Sequence, residues 1–346
     1  MFWLKFCLFL FLILPLHATP IKKCKNPIVR KEWRTLSTPE KRSYISAVKC
    51  LLKKPALTTK SDLPGVTNRF EDFLGTHILQ TSTVHFVGIF YPWHRLFLHE
   101  YEKELQACGY KGAQPYWDWT LDTHSPVTFF NSPIFDIKTG FGGNGDWVPG
   151  NVSHPADGMI VTSGGFDIAD RTGGGCVPNG PFKGMINNLG PNDAVDYNPH
   201  CVRRDFSPSS FNRSSMENVL QGMALPNFGL FDRTTEVTFH GGGHLGVGGI
   251  YGTLTDGYSS PGDPIFYLHH ANMDRAWWSW QKRDLDSRLN DMSGPLVKQD
   301  YDNKVAGNAT LDTIMHVGTT ANITAPVRDV MHIQQGILCY TYDELY

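Results

Sequence analysis

Apolar residues recur at helical spacing in six stretches of the chain, separated by polar and turn-forming residues. Start signals support two of them, because Pro39 falls in a first turn and Asp263-Pro264 is an N-cap residue followed by proline. The predicted helices are Glu40–Leu52, Val66–Leu79, Pro92–Ala107, Ser214–Gly222, Thr234–His244 and Pro264–Arg283. The pattern predicts a mainly α fold in which four of these helices form a bundle, with long loops and a few short strands.

The longest stretch without helical periodicity runs from Phe141 to Pro199 and is rich in glycine. A loop this long is usually either functional or disordered. Cys176 and Cys201 argue against disorder, because both can form disulfides. We expect this segment to form one wall of a pocket.

The N-terminus has the pattern of a secretory signal peptide. Lys5 precedes an apolar run from Phe6 to Leu16, and His17-Ala18 follows. This run is shorter than the ~20 residues that a membrane-spanning helix needs. We predict a signal peptide at residues 1–18, cleaved after Ala18, and a secreted protein.

Cysteines and glycosylation sequons agree with secretion. Cleavage removes Cys7 and leaves six cysteines, an even number that favours disulfides, although the sequence does not choose among the possible pairings. The permitted glycosylation sites are Asn151, Asn212, Asn308 and Asn322. The net charge of −2 and the pI near 6.7 provide no broad basic surface, so we expect neither nucleic acid nor an anionic membrane as a partner.

Two groups of three histidines can each bind a metal ion. The second group contains His240-Gly-Gly-Gly-His244, which places two imidazoles one turn apart if the segment is helical. The helix that opens at Pro264 offers His269 and His270 as the third ligand.

The first group consists of His77, His85 and His94, which must converge from separate turns. A single histidine of this kind is more often a core residue with satisfied nitrogens. Six histidines in two such groups indicate metal binding instead.

Both groups offer only imidazole ligands, which suit zinc, copper, iron and nickel, and affinity among divalent ions is highest for copper. One zinc with three histidines would indicate metal-assisted hydrolysis. Two copper centres at the ~3.5–4 Å usual in two-metal sites can hold dioxygen between them. That arrangement indicates redox chemistry.

Motifs along nearly the whole mature chain resemble the type 3 copper proteins, which are tyrosinases, catechol oxidases and haemocyanins, and most closely the secreted fungal short tyrosinases. These motifs are Arg30-Lys-Glu-Trp-Arg34, Arg69-Phe-Glu-Asp-Phe, Pro92-Trp-His94-Arg95, Pro115-Tyr-Trp-Asp-Trp119, His240-x3-His244, Asp263-Pro-Ile-Phe-x2-His269-His270 and Tyr340-Thr-Tyr342.

The resemblance implies a binuclear site of two copper ions with O2 as co-substrate and a phenolic small molecule as substrate. It implies that one copper is bound by His77, His85 and His94, and the other by His240, His244 and His270, with His269 as a neighbour. Because each copper takes ligands from several helices, we predict a single catalytic domain over residues 19–346.

Four positions near these ligands bear on the reaction. Thr83 replaces a cysteine that many fungal members cross-link to the second histidine, so packing and hydrogen bonds must orient His85. Gly241 replaces an asparagine that often positions a water in members that hydroxylate monophenols. Gly257 replaces a bulky residue that covers the second copper in some relatives, so we expect an open pocket mouth. We expect Glu236 to be an exposed helical carboxylate, the alternative being that it orients a water.

Further residues have predicted structural roles. Each of the three glycines between His240 and His244 costs about 0.8–1 kcal/mol in a helix interior, and we expect close packing to require them, substrate access being the alternative. The aromatic run Pro115–Trp119 is expected in the core. Asp274 is expected to hold a neighbouring chain segment.

These features favour oxidation of ortho-diphenols to ortho-quinones with O2. The alternatives are hydroxylation of a monophenol, oxidation of an ortho-aminophenol in secondary metabolism, reversible oxygen carriage and hydrolysis at one zinc. The open mouth expected from Gly257 argues against a carrier, and a single zinc leaves the first histidine group without a role.

Overall fold

The computed structural model describes residues 24–318 and 323–346. The helices in these ranges are α1 (Thr38–Leu51), α2 (Arg69–Val84), α3 (Phe90–Ala107), α4 (Pro126–Phe130), α5 (Pro208–Phe211), α6 (Met216–Met223), α7 (Phe228–Thr235), α8 (Gly241–Gly248), α9 (Ile265–Lys282) and α10 (Leu285–Arg288). The strands are β1 (Ile28–Arg30), β2 (Ile186–Asn187), β3 (His200–Cys201), β4 (Ile314–Val317), β5 (Ile323–Pro326) and β6 (Tyr340–Tyr342). The mainly α fold with short strands is confirmed. The predicted signal peptide lies outside the described residues, as does Asn322.

Local capping moves several helix boundaries away from their predicted positions. α1 begins at Thr38 because Ser37 and Glu40 form a reciprocal capping box. α2 begins at Arg69, three residues later than predicted, because the Asn68 side chain accepts a hydrogen bond from the Glu71 N–H. It also runs five residues further than predicted, to Val84, and so places His85 at its C-terminal end.

The predicted helix Thr234–His244 is one part of a longer helical run. α7 continues into a π-helical turn over Glu236–His240, and α8 follows directly. The run ends at Gly249, whose φ of 51° lies in the left-handed region that glycine tolerates. The wider π-helical turn was not predicted, because one extra residue in a turn leaves little trace in the apolar spacing.

Four helical segments surround the histidines, namely α2, α3, the run from α7 to α8, and α9. α3 packs on α9 through Tyr101 and Tyr267, whose rings stack at 3.5 Å between centroids. Phe73 of α2 closes the same layer with an edge-on contact to Tyr101 at 5.2 Å. The predicted bundle is therefore present. Tyr116, Trp117 and Trp119 are buried, which confirms the core position of the aromatic run.

The two ends of the described chain meet beside α9. β1 pairs in parallel with β6, with Arg30 opposite Tyr342. These strands place Arg30, Tyr340 and Tyr342 against Asp274, and all four side chains are buried. Asp274 thus holds a neighbouring chain segment, as predicted.

Disulfides join Cys24 to Cys339, Cys50 to Cys108 and Cys176 to Cys201, so all cysteines of the predicted mature chain are paired. Among the described helices, none is long and apolar enough to cross a membrane. The sequon residues Asn151, Asn212 and Asn308 are exposed.

Candidate metal centre

The structure brings the predicted histidines into two tight groups. Ligand nitrogens of His77, His85 and His94 lie within 4.8 Å of one another. His240, His244, His269 and His270 form the second group with the same spacing. The π-helical turn ends at His240, and α8 carries His244.

The two groups face each other. The rings of His94 and His270 stack at 4.3 Å between centroids, with planes 13° apart. The rings of His85 and His240 lie 6.2 Å apart. Because the groups share these contacts, they form one site that can hold two metal ions. A single-zinc hydrolase would leave half of it unused.

Backbone carbonyls orient most of the imidazoles through Nδ1. The Nδ1–oxygen pairs are His77 with Tyr258 (2.6 Å), His85 with Thr81 (3.1 Å), His94 with Phe90 (2.8 Å), His240 with Glu236 (2.9 Å) and His244 with Leu254 (2.5 Å). A carbonyl accepts only, so Nδ1 donates and Nε2 carries the free lone pair. The buried Nε2 atoms of His77, His94 and His240 have no hydrogen-bond partner among the described residues. This donor set fits a pair of imidazole-bound metal ions.

Burial keeps these histidines neutral. It lowers the pKa of His77 to about 3 and that of His244 to about 4. Burial and the neighbouring imidazoles lower the pKa of His85, His94 and His270 well below the ordinary value. Neutral imidazole is the form that binds metal.

The metal-free protein is expected to lose stability as the pH falls below ~6.5, the pKa of a histidine in an unfolded chain. Because the folded pKa values are lower, the unfolded state binds more protons below this pH, and the free energy of unfolding falls. The slope is up to ~1.4 kcal/mol per pH unit for each such histidine. Urea unfolding of chelator-treated protein at pH ~7 and ~5.5 measures this effect, and equal stability at both values would contradict it.

His270 and His269 differ in their surroundings. The Nε2 atoms of His270 and His244 lie 3.2 Å apart, close to the ~3.3 Å expected for two nitrogens ~2.0 Å from one metal at a tetrahedral angle. His270 also stacks on His94 of the other group. The ring of His269 lies 4.5 Å from that of His244 in the same group and also packs against Trp119 and Gly243.

The glycines between His240 and His244 serve different needs. A Cβ on Gly243 would collide with the His269 ring, and one on Gly242 would collide with Ser214. Close packing therefore requires these two glycines, as predicted. A Cβ on Gly241 would meet only the Glu236 carbonyl oxygen, at 3.8 Å, and Gly241 faces a cavity.

That cavity has a volume of about 320 Å³ and reaches the histidines His85, His240 and His244. Gly257 lines it, and a Cβ added there would meet nothing within 4 Å. Part of the long loop lines it through Thr162, Ser163, Gly164 and Phe166, which confirms that the loop makes a pocket wall. Access to the histidines beside Gly257 is open, as predicted.

Glu236 is buried rather than exposed, so that expectation was wrong. Its side chain is 2 % exposed because the π-helical turn packs against Phe86, whose N–H donates to both carboxylate oxygens at 2.9 and 3.0 Å. Burial raises the pKa of Glu236 to about 8. The side chain lines the cavity, where it can accept or donate a proton.

Other surroundings of the site had no signal in the sequence. Phe86 has a φ of 56° and presents its N–H to Glu236 from the segment just after His85. Arg213 and Lys298 also line the cavity, although both lie far from the histidines along the chain.

A hydrogen bond orients His85, as expected from Thr83 in place of a cysteine. The Thr83 hydroxyl donates to the Gln80 carbonyl, and the Thr81 carbonyl accepts a hydrogen bond from His85 Nδ1.

Comparisons with known proteins agree with this centre. Residues 67–283 match the family model for the common central domain of tyrosinase. The chain is 35% identical over 339 residues to the tyrosinase-like protein phomQ1 of Diaporthe leptostromiformis, covering 94% of this chain and 80% of that protein. It is 34% identical over 360 residues to the N-acetyl-6-hydroxytryptophan oxidase ivoB of Emericella nidulans, covering 93% and 94%.

A solved structure shares the fold over most of its length. It is a point mutant of the polyphenol oxidase from Thermothelomyces thermophila, with a TM-score of 0.78 and 35% identity, covering 92% of this chain and 89% of that one. The family match includes every histidine of the centre. The chain therefore belongs to the tyrosinase family of type 3 copper proteins and is an oxidase of the catechol oxidase and tyrosinase type.

Proposed function

We propose that the protein oxidises ortho-diphenols to ortho-quinones with O2. One copper ion would be bound by His77, His85 and His94, and the other by His240, His244 and His270. The observation that carries the proposal is the pair of facing imidazole groups beside an open cavity. The buried Nε2 atoms of His77, His94 and His240 have no partner among the described residues, and the cavity reaches His85, His240 and His244. When bound, the copper pair supplies electron exchange between the diphenol and O2. Two diphenols and one O2 yield two quinones and two waters.

The residues of the chain bind the diphenol and handle its protons. The ring enters beside Gly241 and Gly257, which line the cavity that reaches His85, His240 and His244. Glu236 can take a hydroxyl proton, because its raised pKa lies closer to that of a phenol than an ordinary carboxylate does. The Phe86 N–H holds the carboxylate in place during this transfer.

Gly241 favours a diphenol over a monophenol. A monophenol must lose its proton before it is hydroxylated, and this chain lacks the amide side chain that the family resemblance associates with that step. A diphenol needs less help with deprotonation. Hydroxylation of monophenols and oxidation of an ortho-aminophenol are the alternatives, and the likeness to an N-acetyl-6-hydroxytryptophan oxidase supports testing a hydroxyindole too.

We propose secretion as the destination of the chain. Disulfides are typical of oxidising compartments, and the exposed sequon residues are accessible to glycosylation. The predicted signal peptide at residues 1–18 supports the same route.

A substrate panel tests the reaction. Oxygen uptake is measured with 4-methylcatechol, tyrosine, 2-aminophenol and N-acetyl-6-hydroxytryptophan, for the wild type and Gly241→Asn. We expect the wild type to oxidise 4-methylcatechol at least ~100-fold faster than it hydroxylates tyrosine, since positioned proton transfer contributes ~10²–10⁴-fold. Gly241→Asn is expected to lower this ratio of the two rates by about tenfold. Faster oxygen uptake by the wild type with tyrosine or 2-aminophenol than with 4-methylcatechol would contradict the diphenol assignment and support the corresponding alternative.

A further inference from the structure

Two cationic side chains, Arg213 and Lys298, line the cavity that leads to the histidines. Both are exposed. Among the described residues, neither forms an ion pair with a carboxylate. The two positive charges are therefore available to a ligand in this cavity.

Each cation contacts a residue close in sequence to one of the histidines. The Arg213 guanidinium donates to the Val237 carbonyl at 2.6 Å, which ties it to the π-helical turn that ends at His240. Gly242 permits this approach, because a Cβ there would lie 2.9 Å from the Arg213 Cβ. The Lys298 ammonium lies 5.3 Å from the centre of the Phe86 ring, next to His85. Arg213 thus contacts the turn that ends at His240, and Lys298 contacts the residue that follows His85.

The acidic residues of the cavity do not balance these charges. Glu236 is 2 % exposed and its carboxylate accepts the Phe86 N–H. Asp256 is fully buried, and its carboxylate accepts the backbone N–H groups of Asn192, Tyr258 and Ser259. Both carboxylates are buried, so the exposed charges that line the cavity are the two cations.

The volume of the cavity leaves room for more than a ring. Its roughly 320 Å³ lies in the range of pockets that hold whole drug-sized ligands. The Phe166 side chain, which is 65% exposed, adds an apolar surface to the same cavity. A substituent on the phenol can therefore extend over Phe166 toward the cations.

We propose that the preferred substrates are ortho-diphenols whose side chain ends in a carboxylate, which Arg213 and Lys298 bind at the cavity while the ring reaches the histidines. This inference rests on the proposed diphenol oxidation. Arg213 can offer a planar, multidentate set of donors to the carboxylate, and Lys298 adds a second positive charge. Both residues determine specificity and take no part in electron transfer.

The test compares three catechols that differ in the charge of the side chain: 3,4-dihydroxyphenylacetate (anionic), 4-methylcatechol (neutral) and dopamine (cationic). The copper-loaded wild type, Arg213→Gln, Lys298→Gln and the double variant are assayed for kcat and KM. Arg213→Gln keeps the Asn212-x-Ser214 sequon intact. Lys304→Gln is the matched control, because Lys304 is exposed, pairs with Asp302 and does not line this cavity.

We expect the wild type to prefer the anionic over the neutral catechol about three- to tenfold in kcat/KM, the scale of two exposed charge pairs. The double variant is expected to abolish this preference through a higher KM for the anionic substrate, whereas Lys304→Gln retains it. The wild-type preference should also shrink at ~1 M salt, where the Debye length is ~3 Å. A steric effect of the substitutions would not follow the salt concentration.

Two results would overturn this inference: no anionic preference in the wild type, or a ratio that the double variant changes by less than about twofold. If Lys298 only influences Glu236, Lys298→Gln will shift the pH profile for all three catechols and leave the ratio of their kcat/KM values unchanged.

Oxidation of 4-methylcatechol with no charge preference would reject the carboxylate site and leave the proposed diphenol oxidation standing. If no catechol is oxidised, calorimetric titration of the copper-loaded protein with 3,5-dihydroxyphenylacetate and resorcinol decides: tighter binding of the acid supports the site, and equal affinities reject it.

Discussion

His94→Ala is expected to lower the copper content from two ions to one per chain. Catechol oxidation should fall by more than ~100-fold, because replacing even a residue that only supports a metal ligand lowers activity ~10–100-fold. The Nδ1 of His94 is held by the Phe90 carbonyl and its Nε2 is buried without a protein partner. Alanine removes that lone pair from the first histidine group. The second group stays intact and keeps its ion.

The matched control is His99→Ala, on the same helix α3 but outside both histidine groups. It should retain two copper ions and activity within about threefold. Plasma mass spectrometry gives the copper content, and circular dichroism verifies that each variant is folded. Full activity in His94→Ala would contradict the assignment of this residue as a ligand.

The adjacent histidines of α9 provide a second pair for the same assay. His270→Ala is expected to lose one copper ion, because its Nε2 lies 3.2 Å from that of His244. His269→Ala is expected to keep both ions and to lose some stability, since the ring fills space between Gly243 and Trp119. The reverse pattern would assign His269 as the ligand.

Asp274→Ala is expected to lower the free energy of unfolding by ~3–5 kcal/mol, the usual result of removing one partner from a buried ion pair. The carboxylate pairs with Arg95 and with Arg30 (3.2 Å), and it accepts the Tyr340 and Tyr342 hydroxyls at 2.5 and 2.6 Å. Burial alone would raise the pKa of Asp274, but the guanidinium groups of Arg95 and Arg30 hold it below its ordinary value. Without the carboxylate, buried Arg95 loses its carboxylate partner and Arg30 retains only Glu102.

Urea unfolding measures this loss, with Asp302→Ala as the matched control. Asp302 pairs with Lys304 at an exposed site where both side chains are about three-quarters exposed, so its loss should cost under ~1 kcal/mol. The loss of unfolding free energy in Asp274→Asn should lie between those of Asp274→Ala and Asp302→Ala, because asparagine keeps the shape of the side chain but not its charge. Similar stability of the two alanine variants would show that the buried network contributes little.

The sequence carried strong signals for the centre itself. His240 and His244 are one turn apart, and His269-His270 follow a marked helix start, so local spacing was enough to group them. Glu236 was misjudged because a π-helical turn, which has no sequence signature, turns its side chain into the protein. Helix ends were also approximate, as at Asn68, whose capping role depends on a single side-chain hydrogen bond.

Long-range arrangement could not be predicted in the same way. The sequence permitted many cysteine pairings, and the observed bond between Cys24 and Cys339, which lie near opposite ends of the chain, depends on β1 meeting β6. Arg213 and Lys298 lie outside the motifs shared with type 3 copper proteins, and only the folded chain brings both to the cavity. Sequence spacing reports the contacts within one helix, whereas the substrate pocket is assembled from segments that are distant along the chain.

The copper content of the purified wild-type protein tests the binuclear assignment before any variant is made. Protein reconstituted with copper and freed of excess metal is analysed by plasma mass spectrometry against its amino-acid content. Two facing groups of neutral imidazoles predict two copper ions per chain. A single bound ion, or zinc retained in preference to copper, would contradict the binuclear copper centre and favour the alternative of hydrolysis at one zinc ion.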